Sequence, residues 1–131
     1  MFHVADINEE TKKSLTFLSV MMANNETGVI QNIAEIADWA KKNDIQFHTD
    51  AVQALGKIKV DFEGLDIDAM TISSHKIYGP QGIAALVVNK KIDLFPHMQG
   101  GGQERGLRSG TENIAAIIGF GKACERSSQN I

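Results

Sequence analysis

The chain has 131 residues, a length that fits one ordinary globular domain. Apolar residues make up 43% and charged residues 22% of it, which excludes a disordered tail, a collagen-like repeat and a coiled coil. The net charge of −3 offers no basic surplus for binding phosphates, so we expect no nucleic acid as a partner. The single cysteine excludes a disulfide framework within the chain, and no apolar run is long enough to span a bilayer. We therefore expect a cytoplasmic protein with no membrane partner.

The first part of the chain predicts a strand, a helix and a second strand. Residues 1–14 are polar and without a period, and we interpret them as an entry segment. Residues 15–22 form a continuous apolar run, which is typical of a buried parallel strand, and the polar turn Asn24–Gly28 follows. Apolar side chains then recur at helical spacing and predict a helix of about ten residues. They are Ile33, Ile36, Ala37 and Ala40. Residues 45–48 form the second strand, which leads into Asp50.

The second part of the chain predicts two more strands and a final helix. Residues 68–73 and 83–88 have strand character, and residues 92–110 form a glycine-rich loop. The final helix covers residues 111–125, with Thr111 or Ser109 as its cap. Its apolar face consists of Ile114, Ile117, Ile118 and Gly121. This order of strands and helices predicts an α/β fold.

Polar side chains follow three of the predicted strands. In open α/β sheets, ligands bind beyond the carboxyl ends of the strands. The competing interpretation is a set of ordinary solvated loops. The polar residues in question are Asn25 after the first strand, Asp50 and Gln53 after the second, and Ser73, His75 and Lys76 after the third.

Lys76 is the most informative of these residues. A lysine at the end of a hydrophobic strand can supply the amine for Schiff-base chemistry. An enzyme that uses pyridoxal 5'-phosphate (PLP) also needs an acid for the pyridinium nitrogen, donors for the phosphate and a partner for the phenolic oxygen. Asp50 is the candidate acid, and Gln53 is the candidate partner of the phenolic oxygen. A lone lysine is usually a solvated surface charge, but that interpretation leaves Asp50 and Gln53 unexplained. The candidate phosphate donors are Ser73, His75 and Thr111.

Four segments of the sequence closely resemble the cysteine desulfurases, which are fold-type I PLP enzymes of the class V aminotransferase family. The resemblance is to the branch that supplies sulfur for iron–sulfur clusters, and it runs from about Leu15 to about Glu125. It implies an α/β fold that is a segment of the PLP-dependent transferase large domain, with a mixed, mostly parallel sheet flanked by helices. The segments that carry it are Asn24–Gly28, His48–Gln53, Ser73–Pro80 and Gly100–Asn113.

The resemblance implies a role for each residue that holds the cofactor ring. Lys76 matches the lysine that binds the cofactor covalently and then moves the α-proton of the substrate. Asp50 matches the aspartate that keeps the pyridinium nitrogen protonated, and Gln53 matches the residue that contacts the phenolic oxygen.

The remaining matched residues surround the phosphate and the substrate. Ser73 and His75 match contacts to the cofactor phosphate. Asn25 matches an asparagine that helps to hold substrate and cofactor. Thr111 matches a threonine that reaches the phosphate of the neighbouring subunit, so the resemblance implies a homodimer.

The implied reaction converts L-cysteine to L-alanine and leaves the sulfur as an enzyme-bound persulfide for a sulfur-acceptor or scaffold protein. The resemblance places residues 1–14 as the entry segment and residues 15–131 as a partial PLP-binding large domain. By this resemblance the N-terminal part, the loop with the catalytic cysteine and the C-terminal small domain are absent, so we expect the isolated segment to be inactive.

Cys124 lies on the predicted final helix and is interpreted as a packing residue. His3 and His97 lack metal-ligand spacing, so no metal site is predicted.

Two alternatives remain open at this point. Within the same superfamily, the chain could belong to a selenocysteine lyase or another class V aminotransferase. From a different class, it could be a non-catalytic remnant or interaction module that keeps the fold.

Overall fold

A four-stranded mixed sheet forms the centre of the structure, a computed structural model that describes residues 1–129. The strands lie in the order β1-β2-β3-β4. β1 is parallel to β2 and β2 is parallel to β3, whereas β4 is antiparallel to β3. The predicted mixed, mostly parallel α/β fold is therefore confirmed. The strands are β1 (Phe17–Met21), β2 (Gln46–Asp50), β3 (Ala69–Ser73) and β4 (Ala84–Val88).

Four helices accompany the sheet in the described part of the chain. They are α1 (Glu9–Ser14), α2 (Ile33–Lys42), α3 (Phe62–Leu65) and α4 (Ile114–Ser128). Three 3₁₀ turns cover Val4–Asp6, Ser74–Ile77 and Glu104–Gly106. The sequence pattern predicted neither α1 nor α3. Both are short and depend on a local cap: the side chain of Asn8 accepts a hydrogen bond from Thr11 N, and that of Asp61 accepts one from Gly64 N.

Helix α2 forms where the apolar spacing predicts it. Asn32 caps its first turn, and two lysines occupy its last turn, where positive charge is favourable. All four predicted apolar residues of α2 are buried. They pack with Phe47 of β2 and Met70 of β3 in the main core.

The two faces of the sheet differ in what covers them. The covered face carries Val20, Phe47 and Met70, which pack against α2. The open face carries the alternate residues, among them Phe17, which is 53% exposed. The prediction that residues 15–22 form a strand buried on both faces is therefore wrong for β1, although its parallel pairing is confirmed. The reason is that the helices of residues 1–129 leave the open face bare.

Helix α4 differs from its prediction in both its cap and its buried face. It begins at Ile114 and is capped by Asn113, whose side chain accepts from Ala116 N at 3.2 Å; neither Thr111 nor Ser109 caps it. The predicted apolar face is exposed instead, with Ile114 at 65% and Ile118 at 67%. The face that packs against the sheet consists of Ala116, Phe120 and Ala123.

The glycine-rich loop at residues 92–110 is confirmed, and the turn Glu104–Gly106 is its only regular element among the described residues. Within residues 1–129, no helix is both long enough and apolar enough to cross a bilayer. The last two residues of the predicted 15–131 segment lie outside the described residues.

Candidate active site

The candidate site lies where the parallel strands β2 and β3 end. Asp50 is the last residue of β2, and its register partner on β3 is Thr71. Ser73 ends β3 two residues further on. Asp50 is half-buried, and its Oδ1 accepts a hydrogen bond from Val52 N at 2.9 Å. Because carboxyl ends of parallel strands meet at one edge of a sheet, the strand ends bring Asp50 and the Ser73 segment side by side.

The 3₁₀ turn Ser74–Ile77 carries Lys76 directly after β3. The buried Ser73 and the exposed His75 are joined by a 2.9 Å hydrogen bond between Oγ and Nδ1. Tyr78 ends the turn in the left-handed region with φ at 65°. A bulky residue seldom adopts this conformation, and strain of this kind concentrates at functional sites.

Two glycines let the surrounding elements approach this turn closely. A Cβ on Gly56 would lie 2.8 Å from Cγ2 of Ile77, and Gly56 also has a φ of +74°. A Cβ on Gly79 would lie 2.2 Å from Oγ of Ser74 and 2.9 Å from Cβ of Ala123 on α4. The turn that carries Lys76 is therefore held between α4 and the segment that follows β2.

Lys76 is exposed and lines a cavity of about 280 Å³ next to α4, together with Lys57 and Arg126. Asp50 and Ser73 do not line this cavity. The structure thus brings Asp50 and Lys76 to the same edge of the sheet but not into one cavity.

The other predicted site residues lie at different distances from this edge along the chain. Gln53 is half-buried in the turn that follows β2. Asn25 lies in the loop after β1, and its Nδ2 donates to Glu26 Oε1 at 2.8 Å. Thr111 is exposed in the segment before α4, and no hydrogen bond between described residues ties it to the strand ends. Gln53 and Asn25 therefore follow strands at the site edge, whereas Thr111 precedes helix α4.

His48 forms a polar network that the sequence pattern did not reveal. Its Nδ1 lies 2.7 Å from Ser19 Oγ on β1, and its Nε2 lies 2.8 Å from Thr71 Oγ1 on β3. Its ring stacks on that of Phe17, with centroids 6.4 Å apart. Burial lowers the pKa of His48, and the negative charge of Asp50 opposes that shift. Strand alternation is the signal that could have found Ser19 and Thr71, because it places both on the face of His48.

Cys124 packs where the sequence suggested. It lies on α4 against the small cluster around Phe120 and Ala123. Burial raises the pKa of its thiol, which keeps it protonated at neutral pH and disfavours a role as a nucleophile.

The donor set at the sheet edge fits PLP. The edge offers one primary amine, one carboxylate, and the hydroxyl and imidazole of the Ser73–His75 pair. The Asp50 carboxylate has a single hydrogen bond among the described residues, at Oδ1, which leaves Oδ2 available for a protonated ring nitrogen. These are the groups that a PLP site requires.

Comparisons with known proteins identify the family of the chain. The family model described as "Aminotransferase class-V" matches residues 1–131. A protein named cysteine desulfurase IscS from Clostridium botulinum is 44% identical over 98% of this chain and 32% of its own length. The solved structure of a NifS-like protein from Rickettsia africae is 48% identical, with a TM-score of 0.86 over 90% of this chain and 33% of that chain. The structure titled "SspA in complex with cysteine" is 39% identical, with a TM-score of 0.81 over 88% of this chain and 35% of that chain.

The chain therefore belongs to the aminotransferase class-V family, whose members depend on PLP. The predicted resemblance to the cysteine desulfurases is confirmed as well. The chain spans about a third of the length of the curated relatives it matches.

Proposed function

We propose that this chain is part of a PLP-dependent cysteine desulfurase that converts L-cysteine to L-alanine and retains the sulfur as a persulfide for iron–sulfur cluster assembly. The observation that carries the proposal is the placement of the Asp50 carboxylate and the Lys76 turn at adjacent ends of β2 and β3. The names of the relatives support it, and a related structure contains cysteine by its title. A sulfur-acceptor or scaffold protein would receive the sulfur, and the single cysteine fits a reducing cytoplasm.

In this proposal Lys76 and Asp50 divide the work on the cofactor ring. PLP supplies an electron sink for the bond changes at the α-carbon. The amine of Lys76 holds the cofactor and afterwards carries the α-proton of the substrate. Asp50 keeps a proton on the ring nitrogen, while the bond from Val52 N orients its carboxylate. Gln53 would contact the phenolic oxygen from the turn after β2.

Residues on both sides of a subunit boundary would hold the cofactor phosphate. Ser73 and His75 are joined by their own hydrogen bond and would present the hydroxyl and the second ring nitrogen to the phosphate. Asn25 would contact substrate and cofactor from the loop after β1. Thr111 would serve the neighbouring subunit of a homodimer, and its exposure supports that role.

The proposed domain assignment follows from these roles. Residues 1–14 are the entry segment, although they contain α1, and residues 15–131 contribute part of the PLP-binding large domain. The cysteine that accepts the sulfur would come from outside this segment, because Cys124 packs against the small hydrophobic cluster around Phe120 and Ala123. Residues 1–131 alone would then release no alanine from cysteine.

Titration of the protein with PLP tests the proposal. We expect a visible absorption band and, after reduction with borohydride, a covalent adduct that mass spectrometry locates on Lys76. Lys76→Ala should lose both signals. Lys57→Ala is the matched control, because Lys57 lines the same cavity as Lys76 and should keep both.

Two outcomes would contradict the proposal. An adduct on Lys57 in the unaltered protein would move the attachment site away from the β3 turn. The absence of any band in the folded, unaltered protein would favour a non-catalytic module that keeps the fold.

A further inference from the structure

We propose that His48 is a positioning residue for Asp50: its ring ties β1 to β3 across β2 and keeps the hydroxyl of Thr71 away from the Asp50 carboxylate. The inference rests on the proposed function, since it concerns the hold of Asp50 on the cofactor nitrogen. Nothing about the general chemistry of PLP requires a histidine at this position.

The first step of the argument is the position of the ring. His48 lies on β2 two residues before Asp50, on the same open face of the sheet. Its nitrogens contact Ser19 Oγ at 2.7 Å and Thr71 Oγ1 at 2.8 Å. One side chain therefore joins all three parallel strands, one row of the sheet away from Asp50.

The second step concerns Thr71. It is the register partner of Asp50, and partners on neighbouring strands direct their side chains to the same face. A threonine hydroxyl in this position is a natural donor to the carboxylate opposite it. In the structure the hydroxyl bonds His48 instead, and the only hydrogen bond that the Asp50 carboxylate receives among residues 1–129 comes from Val52 N.

The third step counts protons. A neutral imidazole has one donor and one acceptor nitrogen, and the proposal assigns the tautomer in which Nδ1 donates to Ser19 Oγ and Nε2 accepts the proton of the Thr71 hydroxyl. A protonated ring has two donors, and that hydroxyl proton must then find another acceptor. Asp50 is the acceptor at hand, and a bond from the hydroxyl would compete with the cofactor nitrogen for the carboxylate.

The surroundings of His48 keep the ring neutral. Burial lowers its pKa from 6.5, and Asp50 is the one charged group on the open-face positions of β1, β2 and β3. The ring therefore stays neutral as the pH falls through 6.5 and gains its proton only at lower pH. The open-face residues concerned are Phe17, Ser19, Met21, Gln46, His48, Asp50, Ala69, Thr71 and Ser73.

The experiment measures the dissociation constant of PLP against pH in the unaltered protein and in His48→Phe, which keeps an aromatic ring against Phe17. We expect His48→Phe to bind PLP about tenfold more weakly at neutral pH, the effect of losing one or two hydrogen bonds. The unaltered protein should lose affinity as the pH falls below the pKa of His48, and His48→Phe should lack that step. Nuclear magnetic resonance of the cofactor-free protein assigns the step to the His48 ring.

Thr49→Val is the matched control. Thr49 Oγ1 donates to Val20 O at 2.8 Å and so also ties β2 to β1, but on the covered face. Its loss should lower stability without changing PLP affinity or the pH step. Thr71→Val is the second variant; it removes the hydroxyl that would compete for Asp50, so it should keep the neutral-pH affinity for PLP and lack the pH step, even where His48→Phe fails to fold.

The outcomes separate this inference from the proposed function. If the unaltered protein binds PLP but His48→Phe binds it equally well, or if Thr71→Val keeps the pH step, the positioning role is overturned while the proposed function stands. An equal loss of affinity in Thr49→Val would also overturn it, because general weakening of the sheet would then be the cause. If the unaltered protein binds no PLP, the proposed function and the inference both fail.

Discussion

Helices α2 and α4 carry the same kind of apolar pattern and differ in what becomes of it. In α2 the predicted residues are buried, and Ile36 is only 2% exposed. In α4 the predicted face points to solvent, and Ile118 is 67% exposed. The comparison teaches that periodicity identifies an apolar stripe, whereas the elements opposite the helix decide whether that stripe is covered.

The side that α4 does bury has a different composition. Ala123 and Phe120 pack with Ile77 of the Lys76 turn, and the small Ala116 is buried as well. Gly119 adds to this closeness, since a Cβ there would lie 2.5 Å from Cγ of Pro80. The buried side of α4 thus consists of small residues and one aromatic ring, whereas the buried side of α2 contains two isoleucines.

The largest expected effect is a loss of stability on truncating the buried face of α2. Ile36→Ala should lower the free energy of unfolding by about 3 kcal/mol, because it leaves a cavity in the main core. The same truncation on α4, Ile118→Ala, should change it by less than about 0.5 kcal/mol. Urea unfolding of both variants measures this. Equal losses would mean that the exposed face of α4 is covered in solution.

A smaller effect tests where α4 begins. Asn113→Ala should cost about 1 kcal/mol, because the Ala116 amide loses its side-chain acceptor. Thr111→Ala is the control and should leave the free energy of unfolding unchanged, since Thr111 is exposed and caps nothing. Thermal unfolding compares the two variants, and a larger loss for Thr111→Ala would restore the start predicted from the sequence.

The smallest effect concerns an imperfection under α4. Ser74 is fully buried in the Lys76 turn, and its Oγ has no hydrogen-bond partner among residues 1–129. Ser74→Ala keeps the Cβ and removes the orphan hydroxyl, so it should raise the free energy of unfolding by about 0.5 kcal/mol. Chemical unfolding checks the sign. A loss of stability would show that the hydroxyl has a bound partner in solution.

Local signals predicted most of the fold. The four strands and both long helices follow from apolar runs and spacing. The helices α1 and α3 were not predicted, because six and four residues are too few to show a helical period. The open face was not predicted because the alternation of β1 is hidden in a nearly continuous apolar run. The sequence does not show that the helices of residues 1–129 leave that face uncovered.

The candidate site was predictable at the strand ends and less so across strands. Asp50, Ser73 and Lys76 follow strands along the chain, so strand ends alone locate them. The tie between Ser19, His48 and Thr71 depends on register, which is a property of three strands at once. Alternation along each strand assigns a residue to a face, but it does not show which residues of neighbouring strands lie opposite one another.

The antiparallel pairing of β4 has a consequence for how the molecule assembles. β3 and β4 are neighbours in sequence and pair in register over their full length, from Ala69 with Val88 to Ser73 with Ala84. Closing this hairpin brings together segments that are close along the chain, whereas pairing β1 with β2 must wait for a crossover through α2. During folding, the turn that carries Lys76 is thus expected to take shape early, ahead of the parallel strands that bring Asp50 beside it.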